Sequence, residues 1–248
     1  MPERSIYHHC LVILILLLAI TPVSAEAQLP DRISPRELAA LLQEKKAVAV
    51  NVMSEIECLD HRIPESLCIA CEEFKRKAPA ILKEKDTLIV LYCESERCWR
   101  SCLASQQARD MGYSRIAVLK GGMPAWKMEG YETESVERIP RAAIQAVRPR
   151  LLNAWLGEKK DILIVDIRSE DLFRKVHIEG SINIPLYTLH RRYQELPIDR
   201  LFILVDENGN HSFLASSYLV RKGFWKVKRL FGGMARWENF LLRQKGKR

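Results

Sequence analysis

Apolar residues fall into short runs, each bounded by polar residues and followed by a stretch with helical spacing. Val48–Val52, Thr87–Tyr92 and Ile116–Leu119 lie in the first half, and Ile162–Ile167, Leu201–Val205 and Lys226–Leu230 in the second. Short runs rich in Val, Ile and Leu read as buried strands. Between them the spacing predicts helices near Glu72–Lys83 and Ser101–Met111. Ser34, Pro35 and Glu37 open another helix with a capping box and Pro in the first turn, and "LAALL" supplies its apolar stripe. Strands alternating with helices predict an α/β fold of mostly parallel sheets with helices on both faces.

The pattern occurs twice. "LKGGMPAW" (Leu119–Trp126) and "LFGGMARW" (Leu230–Trp237) share Leu, Gly-Gly-Met and Trp. Upstream, "VNVMSEIECLDHRIPESLCIA" from Val50 aligns with "VDIRSEDLFRKVHIEGSINIP" from Val165. "LIVLYCESERCWRSCLASQQARDMGY" matches "LFILVDENGNHSFLASSYLVRKGF" once two residues are removed from the first loop. The chain reads as a tandem duplication, with a polar boundary near Glu134–Pro140. The expected units are residues 28–134 and 135–248. The repeated Gly pairs suggest tight strand-to-helix turns, and Trp126 and Trp237 suggest packing residues.

Residues 1–27 carry a different pattern. Arg4 precedes an uncharged apolar run, Leu11–Ile20, followed by Pro22 and the small-residue pattern Val23, Ser24, Ala25. This is the form of a secretory signal, cut after Ala25 or Ala27. The run falls short of the roughly 20 residues of a bilayer span, which favours a cleaved signal over the alternative, an uncleaved N-terminal anchor. The expectation is export to the periplasm.

With 48% apolar and 28% charged residues, the rest is an ordinary globular sequence, which excludes disorder as the default. Loss of Arg4, Glu3 and Glu26 would raise the formal charge from +8 to +9. The densest basic runs are Arg221–Arg229 and Arg243–Arg248, so weak contact with an anionic membrane through the basic C-terminus is one expectation and a solvated basic face the other. Beyond the adjacent Phe224 and Trp225, aromatics do not interleave with this charge in the manner of a nucleic-acid platform, and no nucleic-acid partner is expected.

Export turns attention to Cys58, Cys68, Cys71, Cys93, Cys98 and Cys102, all in the first half. Cys93 ends the strand "TLIVLY" and precedes a helix, where parallel sheets bind ligands. Unpaired N–H groups and the helix dipole would stabilise a thiolate there, and Arg97 and Arg100 add positive charge. A lowered thiol pKa makes such a cysteine nucleophilic. The same N–H groups would cradle an oxyanion of sulfur, phosphorus or arsenic. Glu94 and Glu96 oppose a highly charged anion such as a phosphate monoester. A Cys-x5-Arg phosphatase loop would need arginine at position 99, where Trp99 stands.

Taken together, the strand-Cys-loop-helix unit at Tyr92–Tyr113, the two Gly-Gly-Met octapeptides and "VDIRSEDLFRKVHIEGSINIP" resemble the rhodanese family, specifically its tandem two-domain sulfurtransferases. The resemblance implies two rhodanese-like domains and no cofactor. Cys93 would take a sulfane sulfur from a thiosulfate-like or polysulfide donor as a persulfide, then pass it to a thiol acceptor. The backbone from Glu94 through Ser95, Glu96, Arg97 and Cys98 to Trp99 would be the cradle, and Arg100 and Ser101 would supply the family's Arg-Ser pair. The implied partners are a small sulfur-containing anion or a protein thiol. Departures from the family pattern are a loop two residues longer and without glycine, and Asn51 and Met53 where the second copy has Asp166 and Arg168. Asp206 at the position of Cys93 implies a catalytically silent second copy, since a carboxylate carries no persulfide.

Other readings stay open. Cys98 is a candidate resolving thiol for Cys93, or the nucleophile if the alignment is shifted, and Cys102 could share its helical face. A non-catalytic binding or thiol-redox module using Cys93 and Cys98 is the alternative function. Cys58, Cys68 and Cys71 could build a structural disulfide. Cys68-x-x-Cys71 lacks the histidine pair or second Cys-x-x-Cys of a zinc site, so no metal is expected. His61 and His177 read as fold features, and His211 as part of a solvated turn.

Overall fold

The computed structural model describes residues 31–95 and 98–246; the candidate signal segment, Glu96, Arg97 and the last two residues lie outside them. The first copy comprises β1 (Asp31–Ile33), α1 (Pro35–Gln43), β2 (Ala47–Asn51), α2 (Glu55–Asp60), β3 (Leu67–Cys68), α3 (Phe74–Ile81), β4 (Leu88–Tyr92), α4 (Trp99–Asp110), β5 (Ile116–Leu119) and α5 (Gly122–Met128). The second repeats the series as β6 (Ala146–Val147), α6 (Pro149–Gly157), β7 (Ile162–Asp166), α7 (Glu170–Lys175), β8 (Ile182–Asn183), α8 (Leu186–Arg192), β9 (Leu201–Val205), α9 (His211–Arg221), β10 (Val227–Leu230) and α10 (Gly233–Lys245).

Each copy forms a parallel five-stranded sheet, in the order β1-β5-β4-β2-β3 and β6-β10-β9-β7-β8. Strands β2, β4, β5, β7 and β9 are apolar but for Asn51 and Asp166 at their ends and Tyr92, because both faces are covered, whereas β10 carries Lys228 and Arg229. In β4, Ile89 and Leu91 face a core with Phe74 and Ala104, while Val90 and Tyr92 face one with Leu38 and Trp126. Trp126 and Trp237 are both buried packing residues, as their repetition suggested.

Local signals explain the helix starts. Ser34 and Glu37 form the expected capping box, and Ser54 and Glu57 form another at α2. The helix expected from Glu72 starts at Phe74, after a 3-10 turn over Cys71–Glu73. The edge strands β1 and β6 were not expected; they are too short to show periodicity.

The copies share a seam. Ile56 of α2 is fully buried in the hydrophobic core of the second copy, alongside Leu186, Leu189 and Leu219. Burying such a side chain stabilises by about 1.5–3 kcal/mol. Glu73 accepts from Arg191 of the second copy at 2.6 Å and pairs with Lys77 at 2.7 Å and with Arg76. Burial raises the Glu73 pKa, but these cationic donors outweigh it and bring the value down to about 2. The connecting segment is pinned by the Ile139 N–H on Asp60 Oδ1 at 2.7 Å and by Lys222 on Glu137 at 2.8 Å.

Candidate active site

At the end of β4, Tyr92 fixes the chain by accepting the Ile63 N–H at 3.0 Å and meeting Ser66 Oγ at 2.6 Å. Cys93 follows, 1% exposed. Its carbonyl accepts the Met123 N–H at 2.9 Å. That contact explains the repeated glycines: a Cβ on Gly122, at φ +60°, would lie 2.5 Å from the Cys93 carbonyl and 3.2 Å from the Ser95 nitrogen. The pair therefore does more than permit a turn, because its second glycine lets the backbone press against the loop.

The chain returns at Cys98, the cap residue of α4, whose N–H bonds Ser95 O at 3.3 Å. Cys93 and Cys98 are joined by a disulfide with Cα atoms 6.3 Å apart. Cys98 is 8% exposed whereas Cys102 faces solvent, so the two do not share a face as helical spacing suggested. Cys98 is a cap residue outside the helix, which breaks the 3.6-residue rule. Cys58 pairs with Cys68, leaving Cys71 buried and free, its thiol pushed up to about 12 mainly by burial.

The charged residues around the loop pair with one another and with the turn before α3. Arg100 pairs with Glu72 at 3.5 Å and Glu94 at 3.7 Å, and its guanidinium lies over the Trp99 ring. Trp99 itself is 57% exposed. Glu96 and Arg97 lie outside the described residues.

His211, expected in a solvated turn, instead bridges the copies, because the start of α9 abuts the Cys93 loop. Its Nε2 lies 3.4 Å from Glu94 and 3.7 Å from Glu57, both of the first copy. The contact with Glu94 raises the His211 pKa and, reciprocally, lowers that of Glu94. Glu57 uses its other oxygen on Ser54, accepting its N–H at 3.0 Å and its hydroxyl at 2.6 Å. Glu57, Glu94 and His211 are also, among the described residues, the group of metal-ligating type, with ligand atoms within 4.8 Å of one another. The ion pairs account for that closeness. The Ser-x-x-Glu spacing marks Glu57 as a capping residue, but no sequence signal joins it to His211. His61 beside Asp60, and His177 on the Phe173 carbonyl, take local structural bonds.

The second loop shows what this backbone does with an anion. Asp206 Oδ1 accepts the Gly209 N–H at 2.8 Å, and Oδ2 accepts those of His211 at 2.7 Å and Ser212 at 3.0 Å. The Asp206 carbonyl takes the Met234 N–H at 2.8 Å, and Gly233 sits against it as Gly122 does against Cys93. Arg168 binds Asp166 at 2.7 Å, the Val176 carbonyl at 2.6 Å and Glu207 at 3.2 Å. In the first copy, Met53 is buried and its N–H bonds Asn51 Oδ1 at 2.9 Å, so the backbone turn survives without the guanidinium. A cleft of about 490 Å³ runs between the copies, lined among others by Trp99, Leu103, Arg168, Tyr187, Asp206 and His211.

The rhodanese-like domain family matches this sequence at residues 34–129 and again at 149–240. The chain belongs to the rhodanese-like family. Among its relatives, a sulfurtransferase of Allochromatium vinosum is 30% identical over 86 residues, covering 35% of this chain and 80% of that protein. The thiosulfate sulfurtransferase GlpE of Pseudomonas fluorescens is 32% identical over 101 residues, covering 41% and 84%. A crystal structure of thiosulfate sulfurtransferase from Pseudomonas aeruginosa is 22% identical with a TM-score of 0.42, covering 84% of this chain and 42% of that one. Each curated relative thus spans about the length of one rhodanese-like copy. Of the two copies here, the first places a cysteine at the carboxyl end of its fourth strand and the second an aspartate.

Proposed function

We propose that the protein is an exported sulfurtransferase in which Cys93 carries a sulfane sulfur. One observation carries the reading. The backbone that follows Cys93 has a counterpart whose N–H groups converge on the Asp206 carboxylate, an anion at the same fold position. In the first copy a thiolate or persulfide would receive such groups at the N-terminus of α4. The Cys93 thiolate attacks the sulfane sulfur of a thiosulfate-like or polysulfide donor. The donor's S–S bond breaks, sulfite or a shortened polysulfide leaves, and Cys93 keeps a persulfide. An acceptor thiolate then takes the terminal sulfur and returns the Cys93 thiolate. The names of the relatives support this chemistry, and the pattern of residues 1–27 supports export.

A thiol-redox module is the second reading, favoured by the Cys93–Cys98 disulfide. The two separate in one experiment. After treatment of the reduced variants with thiosulfate or polysulfide, intact mass should show the gain of one sulfur atom in Cys98→Ser and none in Cys93→Ser. If no donor adds sulfur to either protein, and only loss of two hydrogens at Cys93 and Cys98 is seen, the redox reading replaces the first.

A further inference from the structure

The extra length of the Cys93 loop places one particular thiol. Aligned on Ser101 and Ser212, the first loop runs two residues longer than the second, and Cys98 lies in that longer stretch immediately before α4. Its sulfur reaches Cys93 Sγ within the folded loop, as their bond demonstrates. Other nearby cysteines do not share the position: Cys102 faces solvent, Cys58 and Cys68 hold each other, and Cys71 is buried outside any disulfide. Burial pushes the Cys71 thiol far towards its protonated form, which is a poor nucleophile. Cys98, by contrast, is the cap residue of a helix of 12 residues, whose start carries no side-chain cap hydrogen bond among the described residues. Those groups stabilise a thiolate there.

We infer that Cys98 resolves the Cys93 persulfide, attacking Cys93 Sγ so that the terminal sulfur leaves as hydrosulfide and the Cys93–Cys98 disulfide closes. This rests on Cys93 carrying a sulfane sulfur, as proposed above, and makes the thiol that discharges it one of the same chain, the sulfur leaving as hydrosulfide instead of passing to an external acceptor. The step balances without an oxidant: the Cys98 thiol and the Cys93 persulfide anion give the disulfide and one hydrosulfide anion. The persulfide S–S bond breaks and its electron pair leaves with the terminal sulfur, which is reduced to sulfide. A new S–S bond forms at Cys98, whose sulfur is oxidised, and the Cys98 proton departs on the hydrosulfide. Hydrosulfide is a less basic anion than a cysteine thiolate, so it is the better leaving group in such an exchange. The product state covers both sulfurs, Cys93 being 1% and Cys98 8% exposed, so it admits no second donor molecule until an external dithiol reopens it by thiol–disulfide exchange.

The test uses donors that contain no releasable hydrosulfide. Reduced full-length protein, freed of reductant and kept anaerobic, is given thiosulfate or benzenethiosulfonate, which leave as sulfite and a sulfinate. Wild type should release about one hydrosulfide per chain and end two hydrogens lighter than the reduced form. Cys98→Ser should release none and gain the mass of one sulfur. Cys102→Ser should behave as wild type, which excludes an effect of thiol number. Wild type that keeps the added sulfur and frees no hydrosulfide overturns the inference, as does Cys98→Ser releasing hydrosulfide at the wild-type level. If neither wild type nor Cys98→Ser takes up sulfur, carriage at Cys93 fails and the inference fails with it.

Discussion

The Cys93 and Asp206 loops leave equivalent strands, are gripped by equivalent Gly-Gly-Met turns, and lead into equivalent helices, yet they hold their first side chain differently. Asp206 is fastened by its own loop, its two oxygens taking the N–H groups of Gly209, His211 and Ser212. Cys93 is fastened by a covalent bond to a residue that the shorter loop does not possess. A carboxylate permanently satisfies the donors that a transient sulfur anion would need. The second loop is therefore a filled version of the first.

The largest test of this contrast exchanges the side chains. Cys93→Ser should lower sulfur-transfer turnover by at least about a thousandfold, as loss of a covalent nucleophile does. Asp206→Ser should leave turnover within about twofold, but frees N–H groups from a charged acceptor and should cost about 1–3 kcal/mol of stability. Turnover and denaturant midpoints measured together check both. Equal loss of turnover in the two variants would remove the distinction between the copies.

Next in size is the glycine grip. Gly122→Ala and Gly233→Ala each force a Cβ onto a loop carbonyl at positive φ and should each destabilise by more than about 1 kcal/mol. Only Gly122→Ala should also impair sulfur uptake in the fraction that remains folded, a difference read by adduct yield at a temperature where both variants are native.

The smallest effect is the pH dependence of the seam. The Glu94 pKa lies below its ordinary 4.5, so its contribution is present above that value and fades as pH falls through the lowered one. The His211 pKa lies above its ordinary 6.5, so its contribution is complete below that value and fades as pH rises through the raised one. The pair is strongest between about pH 4.5 and 6.5. His211→Gln should flatten the upper limb of the stability profile, a small change because Glu94 is half exposed. An unchanged upper limb would mean that His211 contributes nothing to holding the copies together.

Much of this arrangement is legible in the chain. The apolar runs locate the central strands, Ser34 and Ser54 fit their helix starts, and alignment of the copies isolates Cys93 against Asp206. The partner of each side chain across the seam is not legible. Nothing in "SEIECLD" says that Ile56 enters the other copy's core, because an amphipathic pattern reports burial and not the burying surface. His211 reads as a loop residue for the same reason, its acidic neighbours Glu94 and Glu57 being distant in sequence. The pairing of Cys98 with Cys93 is legible as a candidate, but its separation from Cys102 is not, because Cys98 sits at the cap, where helical spacing no longer applies.

Ile56 gives the duplication a thermodynamic meaning. Its side chain, fully buried in the apolar cluster of the second copy, makes part of one unit's interior out of the other unit's sequence. Melting the second copy would expose Ile56 to water and release the Glu73–Arg191 bond at once. Unfolding either repeat therefore costs the other these contacts, and the copy without a thiol is coupled to the folding equilibrium of the copy that has one.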